Sequence, residues 1–390
     1  MSYEEVERLV RKEPIEDFYV IGQELGRGKF AIVKKCTEKS TGNNYAAKYL
    51  RKRRGGKACR SDIIVEIDVM RQSMPHHRIV KLHEVFESQR EMIIIIELAT
   101  GGELFRMIAV DPLPEEKAKY VVWELLEGVQ HLHAMNIVHL DLKPENILLY
   151  RKGQLDIKIA DFGLAMQITP GQQIRTLVGT AEYVAPEILN FEPIDITADL
   201  WSIGALTYAL LTGYSPFQGE THSHTFYNVS MCEYDFEDEV FDDVSQEAKD
   251  FIEELLQKKP SERISASKCL QHPWMRSCNP TPLVQNPQTQ TQTQTQTQNH
   301  EGLNSSTSSL DSALWIDTPS SQEQSPSSSA SSSFAPRPTG KGGSEEELTT
   351  QHEDISKQLK EKVSKLCTEM QKAELESTEG ICPSSHRKGR

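Results

Sequence analysis

The chain has 390 residues, 37% of them hydrophobic and 26% charged, and its 57 acidic against 43 basic groups give a formal net charge of -14. No run approaches the roughly eighteen uninterrupted apolar residues of a membrane span, and the polar opening MSYEEVERLVRKEP lacks the apolar core of a signal peptide. The acidic balance argues against a whole-chain nucleic-acid binder. Seven cysteines, at 36, 59, 232, 269, 278, 367 and 382, form no CxxC pair, which argues against a zinc site or a disulfide framework. The expected setting is therefore reducing, cytoplasmic and/or nuclear.

In chain order, residues 1–14 read as an N-terminal extension. Tyr19–Leu25, Ala31–Cys36 and Tyr45–Leu50 are β-rich runs separated by Gly or Ser-Thr-Gly-Asn-Asn turns. A helix is predicted over Ser61–Met74, then strands near Ile79–Glu87 and Glu91–Leu98. After Gly101-Gly102 the pattern turns helical, over Pro114–Met135, Ile196–Leu211, Gln246–Gln257 and Ser265–Gln271. A β-rich lobe followed by a larger α-rich lobe is an α+β architecture with a cleft between the two. Composition breaks near residue 278. A Gln-Thr repeat and a Ser-rich run make 278–343 a disordered segment by composition. Over 344–376, Ile355, Leu359, Val363, Leu366, Met370 and Ala373 recur at helical spacing. That pattern suits either a solvated helix or one that binds a partner. The terminus, 377–390, is basic and disordered.

Three groups of residues carry chemistry. Gly26 and Gly28, in Leu25-Gly26-Arg27-Gly28-Lys29-Phe30-Ala31-Ile32-Val33, sit between β-runs, where they make a hairpin or let backbone approach a phosphate. Ala31 stands where a third glycine would complete G-x-G-x-x-G, and no helix follows, which disfavours dinucleotide-binding and P-loop readings. Lys48 ends the run Ala46-Ala47-Lys48, one hairpin further on. It needs an anion, and Glu66 is the candidate, with Asp62 and Asp68 as alternatives by spacing. The third group is His139-Leu140-Asp141-Leu142-Lys143-Pro144-Glu145-Asn146, followed by Asp161-Phe162-Gly163, then Gly179–Glu187 and Asp199–Gly204.

This ordered set resembles the eukaryotic protein kinases, over residues 15–277. The resemblance implies a two-lobed kinase fold that uses ATP and Mg2+. Asp141 orients the attacking hydroxyl and Lys143 stabilises charge, while Asn146 and Asp161 supply hard oxygen ligands to magnesium. ATP is assigned to Leu25, Gly26, Arg27, Gly28, Lys29, Phe30, Ala31, Ile32, Val33, Ala46, Lys48 and Glu66, with hinge groups from Glu97 and Ala99 and Glu103 near the ribose. Ile96 guards the adenine pocket, Asp199 braces the catalytic loop, and Glu187 pairs with Arg263. Lys143, with Thr180 ahead of Ala-Pro-Glu, looks like the serine/threonine branch. The segments L-G-R-G-K-F-A, S-T-G-N-N-Y-A-A-K and R-R-G-G-K-A-C-R, with H-L-D-L-K-P, are similar to the death-associated protein kinase family, most of all its related-kinase (DRAK) branch. That family implies a role in apoptotic or cytoskeletal signalling. Calmodulin is not an expected partner, because N-P-T-P-L-V-Q-N-P-Q replaces the basic helix that binds it in other members. A scaffold without catalysis, acting through tail and insert, is the competing expectation.

Three finer expectations follow. Leu140 stands where many kinases carry an arginine that a phosphorylated activation loop neutralises, so activity without that phosphate is expected. Between Arg175 and Lys249 there is no Lys or Arg but fourteen Asp or Glu, from Glu182 to Glu247. With Glu103 and Glu145, that stretch predicts substrates with basic residues near the target Ser or Thr. Residues 51–60 hold six basic residues in ten, either a solvated loop or a docking patch for an acidic partner.

Overall fold

The computed structural model describes residues 3–28, 31–54, 56–169, 171–237, 239–276 and 278. Lys29 and Phe30 of the expected nucleotide loop lie outside the described residues. So do the segments expected to be disordered (278–343, apart from Cys278), helical (344–376) and basic (377–390).

The first lobe runs α1 (Tyr3–Glu7), β1 (Val10–Arg11), β2 (Tyr19–Arg27), β3 (Ala31–Glu38), β4 (Asn44–Arg51), the small hairpin β5 (Arg53–Arg54) and β6 (Lys57–Ala58), α2 (Arg60–Gln72), β7 (Leu82–Glu87) and β8 (Glu91–Glu97). Six of these strands form one sheet in the order β1-β7-β8-β4-β3-β2. Alternation along β8 sorts its side chains between two cores. Ile93 and Ile95 join Tyr19, Cys36, Ala47 and Phe86 on one face. Met92 and Ile94 face the other way, into the core that takes Ile63, Ile64, Ile67 and Met70 of α2. That burial, not helix propensity, fixes α2 against the sheet.

The second lobe contains β9 (Gly102–Glu103), α3 (Leu104–Ile108), α4 (Glu115–Ala134), β10 (Ile137–Val138), β11 (Ile147–Leu149), β12 (Ile157–Ile159), β13 (Met166–Gln167), α5 (Pro186–Leu189), α6 (Ala198–Thr212), α7 (His222–Met231), α8 (Gln246–Leu255), α9 (Ala266–Cys269) and α10 (Pro273–Arg276). All fifteen residues of α6 are buried, which makes it the axis of the lobe. It approaches α8 so closely that a Cβ on Gly204 would lie 2.9 Å from the Leu255 side chain. Ser245 caps α8, accepting from Ala248 N at 3.2 Å. No helix among the described residues is long and apolar enough to cross a membrane.

The expected α+β, two-lobed architecture is present; besides the short strands β9–β13 and the short helices α3, α5 and α10, which the sequence does not predict, three differences matter. Residues 3–14, read as an extension, are built into the first lobe: Val6 and Val10 are buried, and Val10–Arg11 pairs parallel to Val85–Phe86. The strand expected from Ile79 begins at Leu82, because residues 78–80 bond to β12 of the other lobe through Ile159 N to Arg78 O (2.7 Å) and Val80 N to Ile159 O (3.0 Å). Helix α7 was not expected, since its sequence HSHTFYNVSM is too polar to show a stripe. It is held by a Thr221 cap on His224 N, and it buries Phe226 and Val229.

Candidate active site

The β2–β3 hairpin places the glycine pair over the cleft. Gly26 pairs with Val33 and Arg27 with Ile32, and Gly28 N bonds to Ala31 O at 2.9 Å. A Cβ on Gly26 would meet nothing within 4 Å, and on Gly28 only Ala31 O at 3.9 Å. Among the described residues nothing fills the neighbouring space, which suits a ligand that packs against bare backbone. Register carries the hairpin on to Lys48, opposite Val33 on β3 and Ile94 on β8.

Lys48 Nζ lies 2.6 Å from Glu66 Oε1 and 2.7 Å from Asp161 Oδ1. Of the three acids considered for Lys48, Glu66 alone faces inward: Asp62 is exposed, and Asp68 binds Arg71 and Gln72. Burial opposes the Lys48 charge, but the two carboxylates outweigh it and hold the ammonium above its ordinary range. The charge of Lys48 in turn lowers the Asp161 carboxyl to about 2, against the effect of burial.

The loop between β10 and β11 holds the second cluster. Asp141 Oδ1 accepts from Thr180 Oγ1 at 2.7 Å, and Oδ2 accepts from Asn146 Nδ2 at 2.9 Å and lies 3.0 Å from Lys143 Nζ. Lys143 Nζ also donates to Thr180 Oγ1 at 2.7 Å. The loop is held from behind by Asp199 at the start of α6, which accepts from His139 N (2.9 and 3.1 Å) and Leu140 N (3.0 Å). His139 Nδ1 accepts from Asp141 N at 3.3 Å, so its Nε2 carries the proton and donates to Ala160 O at 3.1 Å. Leu140 and Asp161 both adopt left-handed backbone, at φ 66° and 62°. Strain of that kind in non-glycine residues gathers where a site is over-determined by its surroundings.

The donor set suits magnesium held with a nucleotide. Asn146 spends its Nδ2 on the Asp141 carbonyl (2.7 Å) and carboxylate, which leaves its amide oxygen to coordinate. Asp161 adds a carboxylate, and such a pair with substrate phosphates is an ordinary magnesium environment.

The peripheral assignments vary more. Ile96 packs against the core and pairs with Ala46. The Glu97 Oε1 atom accepts from Lys158 Nζ and Lys81 N, both at 2.8 Å, and its backbone N donates to Lys81 O at 3.0 Å. Ala99 follows β8 outside any regular element, and Glu103 lies 3.5 Å from Arg106 Nε. Leu25 is partly exposed near the glycines. Glu187 and Arg263 form a buried pair, at 2.7 and 2.6 Å. Glu187 and Asp199 thus belong to the interior and not to an acidic surface. Within the basic segment, Lys52 and Arg60 turn inward onto Glu87 at 2.9 and 2.8 Å, leaving Arg51, Arg53 and Lys57 exposed.

Sequence reasoning gave no particular role to Glu182. It is partly buried beside Glu145, and burial, then the charge of Glu145, pushes its carboxyl up to about 7. Among the described residues, Glu145 Oε2 and Tyr183 Oη are buried with no hydrogen-bond partner. Next to them, Leu177, Val178, Ala181, Val184, Leu189 and Phe226 line a small apolar hollow with a free volume of about 10 Å³. Only its place just before Ala-Pro-Glu could have singled out Glu182, and that position carries no signal of burial.

Two lobes with a glycine hairpin, a lysine–glutamate pair and an aspartate–asparagine–aspartate set in the cleft define a serine/threonine protein kinase. Residues 19–275 match the family described as protein kinase domain, whose members use ATP and Mg2+. Rabbit (Oryctolagus cuniculus) serine/threonine-protein kinase 17A is 47% identical over 277 residues, 70% of this chain and 70% of that protein. Mouse (Mus musculus) death-associated protein kinase 2 is 46% identical over 272 residues, 68% of this chain and 73% of that protein. The twitchin kinase region from C. elegans superposes with a TM-score of 0.63 at 38% identity, covering 68% of this chain and 47% of that longer one. The chain belongs to the death-associated protein kinase family of serine/threonine kinases, near its related-kinase branch.

Proposed function

We propose that the kinase reaction of this chain runs on six side chains, takes basic peptides, and needs no phosphate on the activation segment. The observation that carries it is the convergence of Lys48 on Glu66 and Asp161, and of Lys143, Thr180 and Asn146 on Asp141. Asp141 accepts the proton of the Ser or Thr hydroxyl as its oxygen bonds to the γ-phosphorus and the bond to the β-phosphate oxygen breaks. Lys143 meets the charge on the migrating group, and Lys48, held by Glu66, positions the phosphates. Asn146 and Asp161 would hold Mg2+, which when bound neutralises charge between the phosphates.

The substrate preference is supported by Glu145, Glu182 and Glu103. Two partly buried acids side by side, one with a buried oxygen that has no hydrogen-bond partner among the described residues, are relieved by a guanidinium. Glu182 is neutral below about pH 7 and charged above it. The KM for an arginine-containing peptide should therefore rise as pH falls through 7, and Glu182→Gln should flatten that profile. A degenerate peptide library showing no preference for Lys or Arg, or a flat wild-type profile, would sink the assignment. In the same assay, reversing Arg53 and Lys57 to Glu should leave short-peptide turnover unchanged if the exposed part of segment 51–60 docks acidic partners.

Activation is the second point. Leu140 is buried at 5% exposure within the core cluster, so no cation stands beside Asp141 at that position for a phosphate to neutralise, and Lys143 of the same loop is already paired with Asp141. Phosphatase-treated protein should turn over peptide at the rate of untreated protein, and abolished turnover would refute it. Membership of a family named for cell death supports a role in apoptotic or cytoskeletal signalling, and the cysteine pattern supports a cytoplasmic and/or nuclear setting.

A further inference from the structure

We propose that residues 3–12 are a positioning element that holds α2, and with it Glu66, against Lys48. The inference rests on the kinase roles assigned above to that pair.

The segment touches α2 and the sheet in three ways. Helix α1 packs on α2 and buries Val6 to 1% exposure, in the same core as Ile63, Ile64 and Ile67. Strand β1 extends the sheet, pairing Val10–Arg11 with Val85–Phe86. Arg11 braces that strand through Glu84 at 2.9 Å and lies 4.4 Å from the centre of the Phe18 ring.

The third contact is a charge hub at Glu87, at the end of β7. Its carboxylate takes Arg60 Nε and Nη2, each at 2.8 Å, Lys52 Nζ at 2.9 Å, and Lys12 Nζ. Arg60 is the first residue of α2, and its guanidinium also reaches Glu7 of α1, through Nη2 at 2.8 Å and through Nη1. Glu87 is 7% exposed and its carboxyl is held well below the usual range, Arg60 being the largest cause. The N-terminal segment, strand β4's end, strand β7 and helix α2 thus meet at one buried carboxylate.

Glu66 lies six residues beyond Arg60, less than two helical turns away. A helix pinned at Arg60 and along Val6 cannot swing outward without exposing a buried valine and separating a five-member ion cluster. Kinases that need loop phosphorylation use it in part to set this helix. With Leu140 in the catalytic loop that route carries no charge here, and the N-terminal segment supplies the restraint instead.

The test compares four proteins: wild type, a form lacking residues 1–12, Arg60→Gln and Arg60→Lys. Turnover, KM for ATP and melting temperature are measured for each. Removing the segment should lower kcat/KM for ATP by about tenfold, as typical for coupling between distant sites. A synthetic peptide of residues 1–14, added in trans, should restore it. Arg60→Gln should weaken ATP use in the same direction, and Arg60→Lys should recover part of the loss. Unchanged kinetics in the truncated protein would overturn the proposal. So would a loss that accompanies failed melting and is not restored by the peptide, because the segment would then be needed for folding alone. Wild-type protein inactive on every peptide would instead sink the kinase roles, a result the truncation cannot mimic.

Discussion

Asp141→Asn is expected to lower turnover by about 10²- to 10⁴-fold, the usual contribution of a positioned proton acceptor. The contacts explain why an isosteric change is so costly. One Asp141 oxygen accepts from Thr180 Oγ1 and the other faces Asn146 Nδ2 and Lys143 Nζ. An asparagine has one acceptor oxygen where the aspartate has two. Its amide nitrogen must therefore point at a donor, either Thr180 or the Lys143–Asn146 side, and it takes no proton from a substrate hydroxyl. Nothing in that change touches Lys48 or Glu66, so ATP binding measured by nucleotide fluorescence should stay near the wild-type value. Turnover within a few-fold of wild type would remove Asp141 from the mechanism.

Arg263→Ala is expected to destabilise the second lobe by about 3–5 kcal/mol, the cost of leaving a buried charge unpaired. Both oxygens of Glu187 rest on the Arg263 guanidinium, and the two side chains are 1% and 0% exposed. The same guanidinium donates to the Gln257 and Thr197 carbonyls and lies 5.2 Å from the centre of the Trp201 ring. At about 2–4 °C per kcal/mol for a domain of this size, the melting temperature should fall by roughly 6–20 °C. Replacing both partners, as Glu187→Met with Arg263→Leu, should cost less than either charge-stranding single change. A calorimetric shift within a degree for Arg263→Ala would show that water reaches the pair after all.

Much of the site was legible because kinase chemistry concentrates its residues in short runs. Asp141, Lys143 and Asn146 lie within six positions, and Asp161 and Thr180 sit in equally recognisable strings. Spacing left Lys48 with three acids to choose from. The choice of Glu66 depends on which face of α2 is buried, and Ile63, Ile67 and Met70 mark that face. Fold class was legible from the change of period after residue 101. What stayed hidden has a common cause. A five-residue helix and a two-residue strand carry no periodicity, so Tyr3–Arg11 looked like an appendage, although its strand partners lie 75 positions away. Glu87 reads as one more surface acid until three cations from three elements arrive at it. Likewise, Lys52 and Arg60 counted toward a basic surface, because composition cannot tell an outward arginine from one facing a buried carboxylate. The partial burial of Glu182, beside the buried Tyr183 and near Glu145, is set by tertiary packing, which no local pattern encodes.

Leu140 bears on timing as well as on charge. An enzyme with an arginine at that place waits for a phosphate on its activation segment before it works. On the proposal made here, this chain has no such waiting step and is competent once folded. Its output in a cell would then be set by synthesis, by degradation and by the supply of targets. Its melting behaviour and lifetime would accordingly act as its dose control.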